Sequence, residues 1–351
     1  MSGGVDSSVA AYLAKQQGYE CIGITMKLFN SEDIAIANLN RRSCCSLDDI
    51  NDARNAANLM GIPFYVNNFS SDFKEKVIEP FIKAYEKGET PNPCIDCNRY
   101  VKFEKLLFRA RQLGIDYLVT GHYARIVQDE KSGRRLIKKA ADIAKDQSYV
   151  LYAMTQEQLS STLFPLGELS KDEVRKIAKE QGFNNADKEE SQDICFVPDG
   201  NYAKFIEEYS GISCEEGNFV DIAGKVLGRH RGIIRYTIGQ RRGLAVSLNR
   251  PMYVHSINIK DNTVVLCEDE DLFSRNLYVR DFNWIACEKP EGEIRCKVKI
   301  RYNQSEQWAI ASVRQDDTVH ICFDEPQRAI TSGQAAVLYS EDTVLGGGTI
   351  V

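Results

Sequence analysis

The chain has 351 residues, 43% of them apolar and 27% charged, with a formal net charge of −6. That length accommodates two or three domains with substantial cores, and the composition is that of an ordinary globular protein. No apolar run is long enough to span a membrane, the first residues do not read as a signal peptide, and the net charge argues weakly against nucleic acid. Eleven cysteines, an odd number with Cys44 and Cys45 adjacent, fit a cytosolic protein with reduced thiols.

In chain order, the first feature is Ser2-Gly3-Gly4-Val5-Asp6-Ser7-Ser8, running directly into the helical spacing Val9, Ala10, Leu13, Ala14. Two glycines let backbone N–H groups approach an anion, the serines add hydroxyl donors, and a helix N-terminus adds its dipole. This is a phosphate cradle, and it lacks the Lys-Ser/Thr of a Walker A loop. A loop of this kind follows a buried strand, so a strand of roughly 5–10 residues is expected upstream of Met1. The first helix ends at Gly18, and Cys21–Leu28 reads as an apolar strand. Ser46-Leu47-Asp48-Asp49 opens a helix as a variant capping box and Gly61 closes it. A strand at Ile62–Val66, helices at Val77–Lys87 and Phe103–Gln112, and a strand at Tyr117–Thr120 follow. This alternation predicts an α/β, doubly wound parallel sheet with ligands at the carboxyl ends of its strands.

Residues 125–140 read as a hairpin at the sheet edge, and helices return at Ser170–Gln181 and Tyr202–Tyr209. After about residue 210 short alternating segments dominate: Phe219–Ile222, Pro251–Ile259, Thr263–Leu266, Glu293–Ile300, Gln307–Val313, Thr318–Phe323 and Ala335–Ser340. They predict two small all-β units divided near the acidic Asp269–Asp271. The expected domains are therefore 1–208, 209–271 and 272–351. Basic residues collect at Arg229, His230, Arg231, Arg235, Arg241 and Arg242. Lys297, Lys299 and Arg301 alternate on one face of a strand; either stripe suits phosphates or a solvated surface equally well.

Thr90-Pro91-Asn92-Pro93-Cys94-Ile95-Asp96-Cys97-Asn98 carries the most chemistry after the first loop. Its prolines argue against a regular helix, and its CxxC spacing puts two thiols on one side of a turn, for metal or redox work. A third cysteine lies in Ser191-Gln192-Asp193-Ile194-Cys195-Phe196. Two close cysteines and a distant one leave open an iron–sulfur cluster with an open position, a thiol–disulfide relay, or a zinc site completed by histidine. Cys21, Cys267, Cys296 and Cys322 read as small apolar residues. Thr120-Gly121-His122-Tyr123-Ala124-Arg125 ends a strand, where ligands bind, and Lys145-Asp146-Gln147-Ser148 follows the hairpin as a helix cap or phosphate contact.

SGGVDSS at 2–8 resembles the PP-loop of ATP pyrophosphatases. With NPCIDCN at 92–98, TGHYAR at 120–125, KDQSY at 145–149, SQDICF at 191–196, TIGQRRGL at 237–244, KIRY at 299–302 and LGGGTI at 345–350, the whole chain resembles the bacterial tRNA-specific 2-thiouridylases. The resemblance implies a PP-loop domain, a small central β domain that contacts tRNA, and a C-terminal β-barrel. It implies ATP-dependent thiolation of the tRNA wobble uridine, with the uracil C2 oxygen adenylated and then displaced by sulfur.

On that resemblance ATP and Mg2+ are the expected cofactors, with ATP held by Met1, Ser2, Gly3, Gly4, Val5, Asp6, Ser7, Met26 and Gly121. Asn92, Pro93 and Cys94 would face the target base, and His122, Lys145, Asp146, Gln147, Arg301, Tyr302 and Gln334 the tRNA anticodon arm. Cys97 and Cys195 are the expected catalytic pair, with Cys195 carrying a persulfide. Many relatives have Asp at the position of Cys94, so no carboxylate role carries over there. The extra thiol favours a [4Fe–4S] cluster on Cys94, Cys97 and Cys195 over the persulfide relay. Sulfur would come from a cysteine desulfurase relay or from inorganic sulfide, and a cytoplasmic monomer is the default. A PP-loop ligase that adenylates a carboxylate, and a non-catalytic tRNA-binding protein lacking the first strand, are the alternatives.

Overall fold

The computed structural model describes residues 1–29, 47–188, 194–197, 199–211, 214–244, 246 and 250–351. Cys44, Cys45, the expected cap Ser46 and the lead-in Ser191, Gln192 and Asp193 lie outside the described residues.

The first half is α/β. Helix α1 (Val5–Gln16) starts on the Gly-rich loop, strand β1 (Gly23–Lys27) follows, and helix α2 (Leu47–Met60) ends at Gly61. Strand β2 (Phe64–Asn68) begins beyond Pro63, which displaces it from the expected position. It pairs in parallel with β1, from Gly23 opposite Phe64 to Lys27 opposite Asn68. The Met1 backbone lies against β1, its amine donating to Ile24 O and its carbonyl accepting from Thr25 Oγ1 at 2.6 Å. Helix α3 runs unbroken over 70–86 with a π-type segment at Lys74–Ile78, and helix α4 runs over 93–112 with a longer one at Cys97–Leu106.

Strand β3 (Leu118–Val119) pairs in parallel with strand β6 (Thr162–Leu163), which follows helix α5 (Gln156–Ser160). Helix α6 (Lys171–Glu180), at an expected helix position, opens with a capping box: Ser170 Oγ accepts from Glu173 N at 3.3 Å and Ser170 N donates to Glu173 Oε2 at 2.7 Å. Its Val174 and Ala178 bury against Val5, Val9 and Ala10 of α1 and Ala56 and Ala57 of α2. Helix α7 (Tyr202–Ser210) packs Phe205 and Ile206 with Phe73, Phe81 and Phe196, so by packing it belongs to the first unit.

Strands β7 (Gly217–Asp221), β8 (Val226–His230), β9 (Tyr253–Asn258) and β10 (Thr263–Cys267) form a four-stranded sheet in the order β8-β7-β10-β9, over Phe219, Tyr236, Val254, Val264 and Leu266. The last unit is a closed six-stranded barrel of β11 (Phe273–Trp284), β12 (Ile294–Lys299), β13 (Gln307–Val313), β14 (Val319–Arg328), β15 (Ala335–Ser340) and β16 (Thr343–Ile350). The long β11 closes it, pairing with β14 up to Val279 and with β16 from Val279 onward. Asp281, at φ +53°, sits in the register shift between Arg280 and Asn283.

The hairpin of β4 (Ala124–Gln128) and β5 (Arg135–Lys139) forms as expected but joins the barrel instead of the parallel sheet. Lys138 pairs with Thr343, and Lys139 N donates to Asp342 O at 2.8 Å. A shared apolar core explains this: Ile137, Tyr149, Leu151, Met154 and Phe164 of the first unit pack with Val337, Tyr339 and Val344 of the barrel. The first and last units are thus one packed body around that core.

Candidate active site

The Gly-rich loop is shaped by backbone approaches that leave no room for side chains. Gly3 has φ +78°, and a Cβ there would lie 2.3 Å from Asp49 O at the start of α2. At Gly121, just beyond β3, a Cβ would lie 2.7 Å from Asp6 C and 2.8 Å from Ser7 N. Helix α1 begins at Gly4 without a side-chain cap, leaving the donors of its first turn for an anion. Ser7 Oγ accepts from Ser2 N and donates to Gly4 O, both at 3.0 Å, and Ser2 Oγ lies 3.3 Å from Ser7 Oγ. The arrangement fits phosphate oxygens.

Two expected ATP residues act otherwise. Val5 is buried, so its side chain belongs to the core and only its backbone can serve a ligand. Asp6 is held by Lys171, whose Nζ donates to Oδ1 at 2.7 Å and Oδ2 at 2.9 Å, and by Tyr123 Oη at 2.8 Å. Its carboxylate therefore anchors the loop. Sequence reading missed Lys171, Asn185 and Lys188. Asn185 Nδ2 donates to Gly3 O at 2.9 Å and Ser8 Oγ at 3.1 Å, and Lys188 Nζ to Asp49 and Asp52 at 2.6 Å each. Burial opposes the Lys188 charge, yet the bonds to Asp49 and Asp52 leave its pKa raised. No local pattern marks these residues, because only the tertiary fold brings them to the loop.

The cysteine loop departs from expectation. Asn92 caps α4, its Oδ1 accepting from Cys94 N at 3.2 Å, and Pro93 occupies the first turn, where its missing N–H costs nothing. The CxxC segment is therefore the start of a helix and not a turn. Cys94 is exposed, whereas Cys97, opening the π-type segment, is buried in an apolar cluster with Phe73, Phe81 and Phe196. Short π-type segments are frequent at functional sites. Cys195 and Met26 pack against the same cluster.

The three-cysteine ligand set of Cys94, Cys97 and Cys195 is not assembled: among the described residues no three Cys, His, Asp or Glu side chains meet at metal-binding spacing. The helix turns Cys94 to solvent and Cys97 to the core. Burial pushes the thiols of Cys267 and Cys296 up to about 11 and about 12, in keeping with their reading as small apolar residues.

The expected tRNA residues divide. His122 is buried between Phe103 and Phe164, its Nδ1 2.7 Å from Thr120 Oγ1. Burial, with Lys102 adding repulsion, pushes its pKa well below the usual histidine range, so it is a neutral core residue and offers no charge at the surface. The Asp146 carboxylate is buried too, accepting from Ala140 N at 3.0 Å and Ser148 Oγ at 2.7 Å, and so shapes its own loop. Gln147 Oε1 accepts from Tyr123 N at 3.0 Å, bracing the strand end beside Gly121. Lys145 is half-buried at the end of a short 3₁₀ turn.

Arg301, Tyr302 and Gln334 lie where the barrel meets these loops. Arg301 Nη2 donates to Thr331 Oγ1 at 3.1 Å, Tyr302 Oη to Asp146 O at 3.3 Å, and Gln334 Nε2 to Thr90 O at 2.6 Å. In the central basic run His230 is buried, while the five arginines are exposed, with Arg235 paired to both oxygens of Glu207 at 2.7 Å and Arg229 3.7 Å from Glu216.

Comparison with known proteins agrees along the whole chain. Residues 1–199 match the family described as tRNA methyl transferase HUP domain, 203–268 the corresponding PRC-barrel domain, and 274–350 an aminomethyltransferase beta-barrel domain. The chain is 52% identical over 350 residues to the tRNA-specific 2-thiouridylase MnmA of Clostridioides difficile (strain 630), covering 100% of this chain and 96% of that one. It is 51% identical over 351 residues to the protein of the same name from Lachnoclostridium phytofermentans, covering 100% and 98%. It is 50% identical over 350 residues to that of Acetivibrio thermocellus, covering 100% and 97%. With about half of its residues identical to these relatives over its full length, and all three of its units matched by family descriptions, the chain belongs to the tRNA-specific 2-thiouridylase family.

Proposed function

We propose that the protein thiolates C2 of the wobble uridine in tRNA, using ATP to activate the base and a Cys97–Cys195 pair to deliver sulfur. The family profile is described by methyl transfer and the relatives by thiolation. The Gly-rich loop supports the second, since sulfur substitution needs an activated oxygen and the loop suits a nucleotide's phosphates. Ser2, Gly3, Gly4 and Ser7 bind the phosphates through backbone and hydroxyl donors, with Met26 and Gly121 beside the nucleoside. Mg2+ would neutralise phosphate charge there, and with Asp6 taken by Lys171 and Tyr123 the ion would be held chiefly through the phosphates and water.

The uracil O2 attacks the α-phosphorus, forming an O–P bond and releasing pyrophosphate. The terminal sulfur of a Cys195 persulfide then attacks C2, and AMP leaves with the former O2. The Cys97 thiolate attacks the Cys195 sulfur, freeing the thiocarbonyl sulfur of the product and forming a Cys97–Cys195 disulfide, which an external thiol reduces. A cysteine desulfurase relay, or sulfide with an oxidant, recharges Cys195. Asn92, Pro93 and Cys94 line the approach of the base, which must leave its stack to be modified.

The single observation behind the relay is that Cys97 and Cys195 border one apolar cluster while Cys94 stands exposed outside it. The test is anaerobic purification with iron and sulfide analysis, followed by thiolation of unmodified tRNA by wild type, Cys94→Ala, Cys97→Ser and Cys195→Ser. A colourless enzyme active with a persulfide donor, silenced by the last two changes and tolerant of the first, is expected. Roughly four irons per chain with loss of activity in Cys94→Ala would replace the relay with a cluster.

A further inference from the structure

Strand β12 turns alternate side chains outward. Arg295, Lys297 and Lys299 share the outer face, while Cys296 and Val298 face the barrel core. At the strand rise, successive outward residues are about 7 Å apart. Aromatic rings interleave with these cations. Arg295 Cζ lies 5.0 Å and Lys297 Nζ 5.3 Å from the centre of the Trp308 ring, and Lys299 Nζ lies 5.8 Å from Tyr149 and 5.6 Å from Tyr302. Trp308 is 49% exposed, an unusual position for a side chain of the largest type.

The nearby acids are committed. Asp324 pairs with both Arg295 nitrogens at 2.6 and 2.5 Å, and Glu306 with Lys139 at 2.6 Å. Among the described residues Lys297 and Lys299 have no carboxylate within 4.0 Å. Burial lowers the Lys299 pKa, a desolvation that an incoming anion would offset. The row points at the candidate site: beyond Lys299, Arg301 touches Thr331, and Gln334 holds Thr90 just before the Asn92 cap.

We propose that Lys299, Lys297 and Trp308 form a track for the phosphate backbone of the RNA substrate, leading away from the target-base loop, with Trp308 offering a stacking face for a base or ribose. This rests on the RNA-thiolating reading above. The spacing matches a polyanion with regularly repeated charges, and cations alternating with rings suit a nucleic-acid strand. A protein sulfur donor is the competing occupant and an outcome of the test.

The experiment measures tRNA affinity across a salt series for wild type, Lys297→Glu, Trp308→Ala and Lys176→Glu, after melting curves establish that all are folded. Lys176, on the outer face of α6, controls for net charge. Lys297→Glu should bind tRNA about tenfold more weakly with the salt slope reduced by about one, and Trp308→Ala about fivefold more weakly with the slope retained. Lys176→Glu should match wild type. Unchanged affinity in both track variants would overturn the proposal, as would thiolation that fails only when sulfur comes from a protein donor. Wild type that neither binds nor thiolates tRNA would instead overturn the functional reading itself.

Discussion

Lys171 donates to both carboxylate oxygens of Asp6, at 2.7 and 2.9 Å, across 165 residues of sequence. The lysine is buried at the first turn of α6, and the aspartate opens α1 on the Gly-rich loop. The pair ties the first turn of α6 to the start of α1 beside the Gly-rich loop. Lys171→Met should leave Asp6 with Tyr123 alone. Removing one partner of a fully buried pair costs about 3–5 kcal/mol; with Asp6 partly exposed, about 1–3 kcal/mol is expected. The melting temperature should fall and the KM for ATP rise, in the direction shared by Asp6→Asn. Additive effects in the double variant would show that the pair is not coupled.

Gly121→Ala separates loop geometry from chemistry. The new Cβ would press on Asp6 C and Ser7 N, backbone atoms of a helix start that cannot step aside. Pyrophosphate release should fall by at least tenfold, because a displacement of even 1 Å costs about 100-fold in comparable settings. Circular dichroism should report a folded chain. Full activity in this variant would mean that the loop is not the nucleotide site.

Legibility followed sequence distance. The helical stretch at Ser170–Gln181 and the apolar spacing of α1 are local signals, and both helices formed where the residues placed them. The barrel strands at Gln307–Val313 and Ala335–Ser340 were equally plain, since alternation is local as well. The Cys94–Cys97 segment was misread as a turn because proline oppresses a helix only in its interior, and Pro93 stands at the first turn behind the Asn92 cap. The union of β5 with β16 was invisible, because it depends on Ile137 and Tyr149 meeting Tyr339 and Val344 in one core. The partners of Asp6 and Gly3 were hidden for the same reason.

Asp96, between the two cysteines of the helix start, has its carboxyl pushed up to about 6 by burial, with Arg99 pulling the other way. The folded state then binds a proton more tightly than the unfolded chain. This group's contribution to stability falls as pH rises from about 3.8 to about 6, and the cost persists above that. Asp96→Asn should melt higher than wild type at pH 8, by about 1–3 kcal/mol at one pKa unit per 1.36 kcal/mol. The gap should close by pH 4. Equal melting temperatures at pH 8 would place Asp96 in solvent.

His122 gives the opposite slope. Burial between Phe103 and Phe164 holds its pKa well below 6.5, so the folded state resists a proton that the unfolded chain accepts. Its contribution is present above about pH 6.5 and is lost as pH falls below it. His122→Gln should narrow the acid-side loss of stability while disturbing packing at neutral pH. The two melting curves should therefore converge between pH 7 and pH 5, and parallel curves over that range would show that His122 titrates normally in the fold.

Gln334 tests whether the barrel positions the target-base loop. Its Nε2 donates to Thr90 O at 2.6 Å, and Thr90 N donates to Ser332 O at 2.9 Å, so the segment before Asn92 is clasped through both backbone polar groups of one residue. Gln334→Ala removes one bond of the clasp, worth about 1 kcal/mol when its partner can rehydrate. Global stability should change little, because the shared core of Tyr149, Val337 and Tyr339 still joins the units. The effect should fall on tRNA thiolation, with kcat/KM for tRNA down about fivefold and the KM for ATP unchanged, since the nucleotide loop lies on α1 and not on this clasp. Gln334→Glu should restore none of the activity, because a carboxylate cannot donate to Thr90 O. A variant that loses ATP and tRNA parameters equally would show instead that the clasp supports the whole fold.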